Sequence, residues 1–187
     1  TSMPELVREV AQAIASRLDE PWAIFGHSMG AVVAHETVLA LQKEGLPSPR
    51  LLAVSAREAP QFHQPGTLHH QDDKALCAEL LRLDGTDPEL LAVTEMRELI
   101  LPTMRADYAL IEQWQLSSTQ PLSCPIAAFV GNEDPEFESQ QAEGWARWTT
   151  SHFTLDRFRG GHFYFSGEPQ PLISQLQARL RKTHALS

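Results

Sequence analysis

Residues 21–33 read Pro21-Trp22-Ala23-Ile24-Phe25-Gly26-His27-Ser28-Met29-Gly30-Ala31-Val32-Val33, and this stretch decides the fold. Trp22 to Phe25 is a short apolar run of the length of a fully buried strand, and Gly26 marks a sharp turn after it. From Met29 onward, Ala31, Val32, Val33, Val38, Leu39 and Leu41 predict a strongly apolar helix that Gly45 and Pro47 terminate. Gly26-His27-Ser28-Met29-Gly30 fits G-x-S-x-G, in which small glycines permit a strained turn that lifts a serine hydroxyl above the sheet edge. The pattern alone is weak, because its three fixed positions recur by chance in roughly one chain in fifteen of this length. Its place between a buried strand and an apolar helix is what the chemistry requires, and Ser28 is therefore the candidate nucleophile.

Working outward, Ser2 followed by Glu5 has the form of a capping box, and Leu6, Val7, Val10, Ile14 and Leu18 recur at helical spacing up to Pro21. Leu51 to Val54 reads as a second apolar strand, followed by a loop from Ala59-Pro60 to Gly66. Residues 72–116 then hold two or three helical patterns and no strand, which predicts a helical insertion. Strands resume at Pro125 to Val130 and at Phe153 to Phe158, with helices around Gln140 to Trp148 and Pro171 to Arg181. Alternating strands and helices imply one α/β domain over 1–187, a parallel sheet flanked by helices, with the insertion at about 60–118.

The chain has 187 residues, 42% of them hydrophobic, enough for one sizeable core. No run of eighteen apolar residues occurs, and Thr1-Ser2-Met3-Pro4-Glu5 lacks the basic start of a signal peptide, so a cytoplasmic protein with no membrane partner is expected. Cys77 and Cys124 have no metal-ligand spacing and are expected to be free thiols. A formal charge of -9 without clustered Lys and Arg disfavours nucleic-acid and anionic-membrane binding, since counterion release needs such clusters. A local basic patch remains compatible with an acidic protein partner.

An alkoxide nucleophile needs a base. His162 is the best placed of eight histidines, because Gly160-Gly161 put it in a turn directly after a predicted strand, where sheets face their ligand crevice. His27 holds the variable elbow position and His35 lies two turns down the helix. His63, His69 and His70 fall in or near a polar loop, and all five read as packing or surface residues. His152 begins a strand and His184 belongs to a polar tail. The base needs a carboxylate, and Asp134 lies in the turn Gly131-Asn132-Glu133-Asp134-Pro135 after a strand, with Glu133 and Glu136 as alternatives. Asp156, inside the last strand, reads as an exposed partner of Arg157 or Arg159. The order Ser, acid, His matches α/β-hydrolases, and the backbone N–H of Met29 is the expected oxyanion donor.

Gly26-His27-Ser28-Met29-Gly30-Ala31, Ser55-Ala56-Arg57-Glu58-Ala59-Pro60, Gly131-Asn132-Glu133-Asp134-Pro135 and Gly160-Gly161-His162-Phe163-Tyr164-Phe165 together resemble the type II thioesterases that accompany nonribosomal peptide and polyketide synthases. The resemblance implies an α/β-hydrolase fold with a catalytic triad of Ser28, Asp134 and His162. Terminal thioesterase domains fused to their synthases tend to carry the acid after the strand that follows the elbow helix; here that segment has no Asp, which favours the separate class. The implied reaction is hydrolysis of acyl groups from the phosphopantetheine arm of a carrier protein, editing misprimed synthases, with no metal and no cofactor of the chain's own. The insertion would be a lid over the acyl site. The family also begins with early strands and a loop that lends the second oxyanion donor. This sequence lacks that segment, so the natural protein is expected to extend upstream of Thr1. Two competing readings share these residues: a small-molecule carboxylesterase or lipase, and a noncatalytic hydrolase-like binding module.

Overall fold

The computed structural model describes residues 2–184, without the side chains of Ser139 and His184, so the expectations about the start at Thr1 and about the side chain of His184 lie outside what is described. Helix α1 (Met3–Ala15) opens on the capping box, with Ser2 accepting from the Glu5 N–H and Glu5 accepting from the Ser2 N–H at 2.7 Å. Strand β1 (Ile24–His27) leads through Ser28 into α2 (Met29–Lys43), and β2 is Leu52–Ser55. Two short 3₁₀ turns, Pro60–Phe62 and Leu68–His70, precede α3 (Asp73–Arg82), α4 (Pro88–Ala92) and α5 (Thr94–Glu112). Strand β3 (Ile126–Gly131), α6 (Ser139–Glu143), a 3₁₀ turn Gly144–Trp148, β4 (Phe153–Phe158) and α7 (Gln170–His184) complete the described chain.

The four strands are parallel in the order β1-β2-β3-β4, with Ile24 opposite Leu52, Leu52 opposite Ile126 and Ile126 opposite Phe153. Parallel strands need crossover connections, so the C-terminal ends of all four emerge on one edge. That edge receives Ser28 from β1, Asp134 from the turn after β3 and His162 from the loop after β4.

Alternation across the pleat splits the core in two. Leu52, Val54, Ile126, Ala128 and Val130 face α2 and Trp145 and Trp148, whereas Leu51, Ala53, Ala127 and Phe129 face Leu172 of α7. Both central strands are buried along their whole length, as expected for strands covered by helices on both sides. Helix α2 is apolar around its circumference because it lies between the sheet and α1, where Met3 and Val7 meet Val32.

Four local expectations are corrected. β1 begins at Ile24 rather than Trp22: Trp22 O accepts from Arg50 N–H at 2.8 Å, but the strand register with β2 starts at Ile24 opposite Leu52. Gly26 is inside the strand, and the sharp turn is made by Ser28 at φ 53. The helix expected near 140–148 divides into α6 and the 3₁₀ turn at Gly144, and Ala59 to Gly66 is not all loop.

Candidate active site

Ser28 holds a positive φ of 53 and ψ of -121 between β1 and α2, a conformation costly for any residue with a Cβ. Its N–H is tied to Ser55 O at 2.8 Å, and its own carbonyl accepts from Ala31 at 3.0 Å. A Cβ on Gly26 would lie 2.0 Å from Gly30 O, so glycine at 26 is what lets α2 start so close to the strand. Gly30 is different: a Cβ there meets nothing within 4 Å, and the second glycine is not demanded by space among the described residues. Met29 is the first residue of α2, so its N–H has no intrahelical acceptor and is available to an anion at the helix start.

The acid and base loops are laced together. Asn132 N–H bonds Phe158 O at 2.9 Å and Glu133 N–H bonds Gly160 O at 2.9 Å, while a Cβ on Gly131 would lie 2.2 Å from Gly161 O. Gly131 is therefore needed for the close approach that brings Asp134 to His162, and Gly160 for the turn itself, which takes a φ of 115. His162 Nδ1 lies 2.9 Å from Asp134 Oδ2 and 3.1 Å from Oδ1, with both side chains at most 2% exposed. A carboxylate accepting at Nδ1 fixes the proton there and leaves Nε2 with its lone pair. Asp134 Oδ1 also accepts from Glu136 N–H at 2.9 Å, an Asx turn that orients the carboxylate. Of the alternative acids, Glu133 is exposed and Glu136 is paired with Arg82.

His27, adjacent to Ser28, stands in this group rather than apart from it. Its ring centroid is 5.0 Å from that of His162 and 5.2 Å from that of Phe163, and its Nδ1 is 3.0 Å from Ser55 Oγ. Burial first, then the neighbouring His162, pushes its pKa down to about 4, opposed by Asp134. Ser55 Oγ in turn is 2.7 Å from the Tyr164 hydroxyl. By sequence His27 is a packing or surface residue and Ser55 and Tyr164 have no role; their only signal is that each lies within one of the quoted motifs.

His35 is buried in the core edge-on to Trp145 and Trp148, while His63 rests on Trp114 and meets Arg57 at 2.9 Å. His69 is bonded to Glu112, so His63 and His69 are held in place rather than free on the surface. Asp156 is a further correction. It pairs with Arg179 of α7 through contacts of 2.6 and 2.9 Å, because α7 folds back over β4, a long-range neighbour that local sequence does not reveal.

A cleft of about 450 Å³ opens between the loop after β2, helices α3 and α5, and the Asp134 loop, with Arg57, Glu58, His63, Tyr108, Glu112 and Glu136 in its wall. Ser28 and His162 lie outside its lining. Helix α3 reaches the acid loop through Arg82, which bonds Pro135 O at 3.1 Å and pairs with Glu136 and Glu79. The corner after α3 touches the base loop: a Cβ on Gly85 would lie 2.1 Å from the Phe163 ring. Among the described residues, no group of three or more His, Cys, Asp or Glu could hold a metal ion, and no helix is long and apolar enough to cross a membrane.

Comparison with known proteins matches residues 1–180 to the thioesterase domain model. The chain is 34% identical over 97% of its length to a protein of Brevibacillus parabrevis named linear gramicidin dehydrogenase LgrE, of which the match covers 70%. It is 35% identical over 96% of its length to thioesterase PikA5 of Streptomyces venezuelae, covering 66% of that protein. Among solved structures, YbtT, a type II thioesterase from the yersiniabactin NRPS/PKS pathway, superposes with a TM-score of 0.85 at 33% identity, over 97% of this chain and 75% of that one. The chain thus spans about two thirds of the length of these curated relatives.

Proposed function

The chain belongs to the thioesterase family, and from that premise we propose that it hydrolyses acyl thioesters carried on the phosphopantetheine arm of carrier proteins, as a separate editing enzyme of a nonribosomal peptide or polyketide assembly line. The observation that carries the reading is the buried His162–Asp134 pair, delivered to the same sheet edge as the elbow serine.

His162 Nε2 takes the proton of Ser28 Oγ as that oxygen attacks the thioester carbonyl, and the oxyanion forms against the Met29 N–H. The C–S bond breaks, His162 returns the proton to the leaving thiolate, and an acyl ester remains on Ser28. Water repeats the sequence with His162 first as base and then as acid, releasing a carboxylic acid and free Ser28. Asp134 stays ionised and stabilises the imidazolium. The chemistry requires no metal or cofactor of the chain's own. Hydride transfer, the chemistry in the name of the Brevibacillus relative, uses a dinucleotide, and this sequence carries no G-x-G-x-x-G run.

The helices between β2 and β3, about 60–118, act as the lid over the acyl chain. Their closeness to the acid and base loops through Arg82 and Gly85 supports that role.

The test is release of acyl groups from a loaded carrier protein, with simple esters as a parallel substrate. Hydrolysis of the carrier thioester is expected in preference to the esters. Ser28→Ala is expected to lower kcat by on the order of 10⁶ and Asp134→Asn by on the order of 10⁴, the scale of triad losses in serine hydrolases. Turnover that survives Ser28→Ala, or esters cleaved in preference to thioesters, would overturn the reading.

A further inference from the structure

Asp134 accepts from His162 at Nδ1 alone, so the polar restraint on the imidazole acts at one ring edge and the rest of the ring is held by packing, with Phe163 edge-on at 5.0 Å. The opposite restraint comes from His27. Its ring lies against His162 at 60°, with Phe163 behind it and Phe165 standing at 87° to it. A ring resting only on packing could follow His162, but His27 is anchored by Ser55 Oγ, 3.0 Å from its Nδ1, and Ser55 Oγ is itself held 2.7 Å from Tyr164 Oη.

We propose that the chain Tyr164–Ser55–His27 is a positioning device that fixes the ring of His162 for its proton exchange with Ser28; this rests on the triad reading above. It joins three of the loops that meet at the site. His27 precedes the nucleophile, Ser55 ends β2, and Tyr164 lies two residues beyond the base.

The direction of the chain follows from satisfying its polar groups. Burial keeps the Tyr164 phenol protonated, so it donates to Ser55 Oγ. The Ser55 hydroxyl then donates to His27 Nδ1, and the ring carries its own proton on Nε2. That nitrogen is buried without a hydrogen-bond partner among the described residues, on a ring that stands perpendicular to Phe165. The reverse direction would leave the phenol proton without a partner among the described residues while Nε2 stays unpaired, which makes it the costlier arrangement. The relay also holds a neutral imidazole beside His162, so the neighbour adds no positive charge when His162 takes up the serine proton. The groups facing His27 are His162 and Asp134, on the loops after β4 and β3, and Tyr164 beyond Ser55.

The test follows the rate at which a fluorophosphonate modifies Ser28, which reports nucleophile and base geometry without a carrier protein, alongside kcat and KM for the thioester. Ser55→Ala is expected to slow both modification and kcat roughly tenfold and His27→Ala roughly a hundredfold, with KM unchanged, the scale of a misplaced reacting group. Tyr164→Phe removes one oxygen and should act in the same direction more weakly. Adding it to Ser55→Ala should cost nothing further, because the two act through one chain. Ser55→Thr, which keeps the hydroxyl, should restore the rate. In ¹⁵N-labelled protein, His27 is expected as the Nε2–H tautomer. Variants that melt lower yet are modified at the wild-type rate would reduce the chain to a structural tie and overturn the proposal, as would the Nδ1–H tautomer. A wild-type protein left unmodified would instead sink the triad reading itself.

Discussion

The loops at the C-terminal sheet edge and the helices between β2 and β3 meet in one cleft but are held by different forces. The loops spring from a sheet whose two central strands are buried on both faces, and backbone atoms fix them: Ser28 N–H on Ser55 O, Glu133 N–H on Gly160 O, and glycines where a Cβ would collide with a carbonyl. The helices carry a small core of their own, Leu76, Leu80, Leu91 and Leu101, and are braced internally by polar groups. Arg105 bonds His69 O, Gln71 O and Asp73, and Glu112 accepts from the N–H groups of Leu68 and His69. Chemistry that needs fixed distances sits where backbone packing sets them. The segment over the cleft rests on side-chain contacts that water can replace, and such segments open at lower free energy than core strands.

The largest test of this contrast is Gly26→Ala. The new methyl would strike the backbone of Gly30, which cannot give way without moving the elbow, and a loss of about 3 kcal/mol or more is expected for such overpacking. Gly30→Ala, facing open space, should leave a denaturant melt nearly unchanged. Equal effects at the two positions would show that the elbow is not held by close backbone contact.

His35 tests the sheet side through pH. Burial lowers its pKa from 6.5 to about 3, and neither ring nitrogen has a hydrogen-bond partner among the described residues. Between those values the unfolded chain binds a proton that the folded one refuses, so stability falls as pH drops from 6.5 towards 3. His27, lowered to about 4, acts with the same sign. His35→Leu should make the melting temperature less sensitive over this range and, at neutral pH, change stability by only about 1 kcal/mol, since two unpaired polar atoms leave the core. An acid limb as steep as that of the wild type would show that His35 is not the group being titrated.

The smallest effect belongs to the helical side. Arg82 is 41% exposed in its contacts with Glu79 and Glu136, so Arg82→Ala should cost about 1 kcal/mol or less. Amide exchange is expected to quicken a fewfold in α3 and α4 while the strands keep their protection. Faster exchange across the sheet as well would dissolve the distinction between the two regions.

Wherever a residue's partner is local, the sequence discloses it. The Ser2–Glu5 capping box and the apolar runs of β2 and β3 stand as read, and the elbow lies between strand and helix as read, although its sharp turn falls at Ser28 rather than Gly26. Ser28, Asp134 and His162 could be chosen because each follows a strand, and parallel strands bring such positions to one edge. What stayed hidden depends on partners far away in the chain. Asp156 meets Arg179, Ser55 meets Tyr164 across 109 positions, and His27 is held between Ser55 and the aromatic residues after His162. No periodicity encodes these pairs, since they arise only once β4 and its loop have closed over the end of β2.

Gly85 sets a limit on how this sequence can drift. Most of the surface between β2 and β3 is free to vary, as the exposure of Leu90, Val93 and Leu99 suggests. At position 85, however, any side chain would push on Phe163, a ring wedged among His27, His162 and Phe165. Variation within the helices away from Arg82 can therefore reshape the wall of the cleft without pressing on the loop of His162, provided this corner keeps its hydrogen.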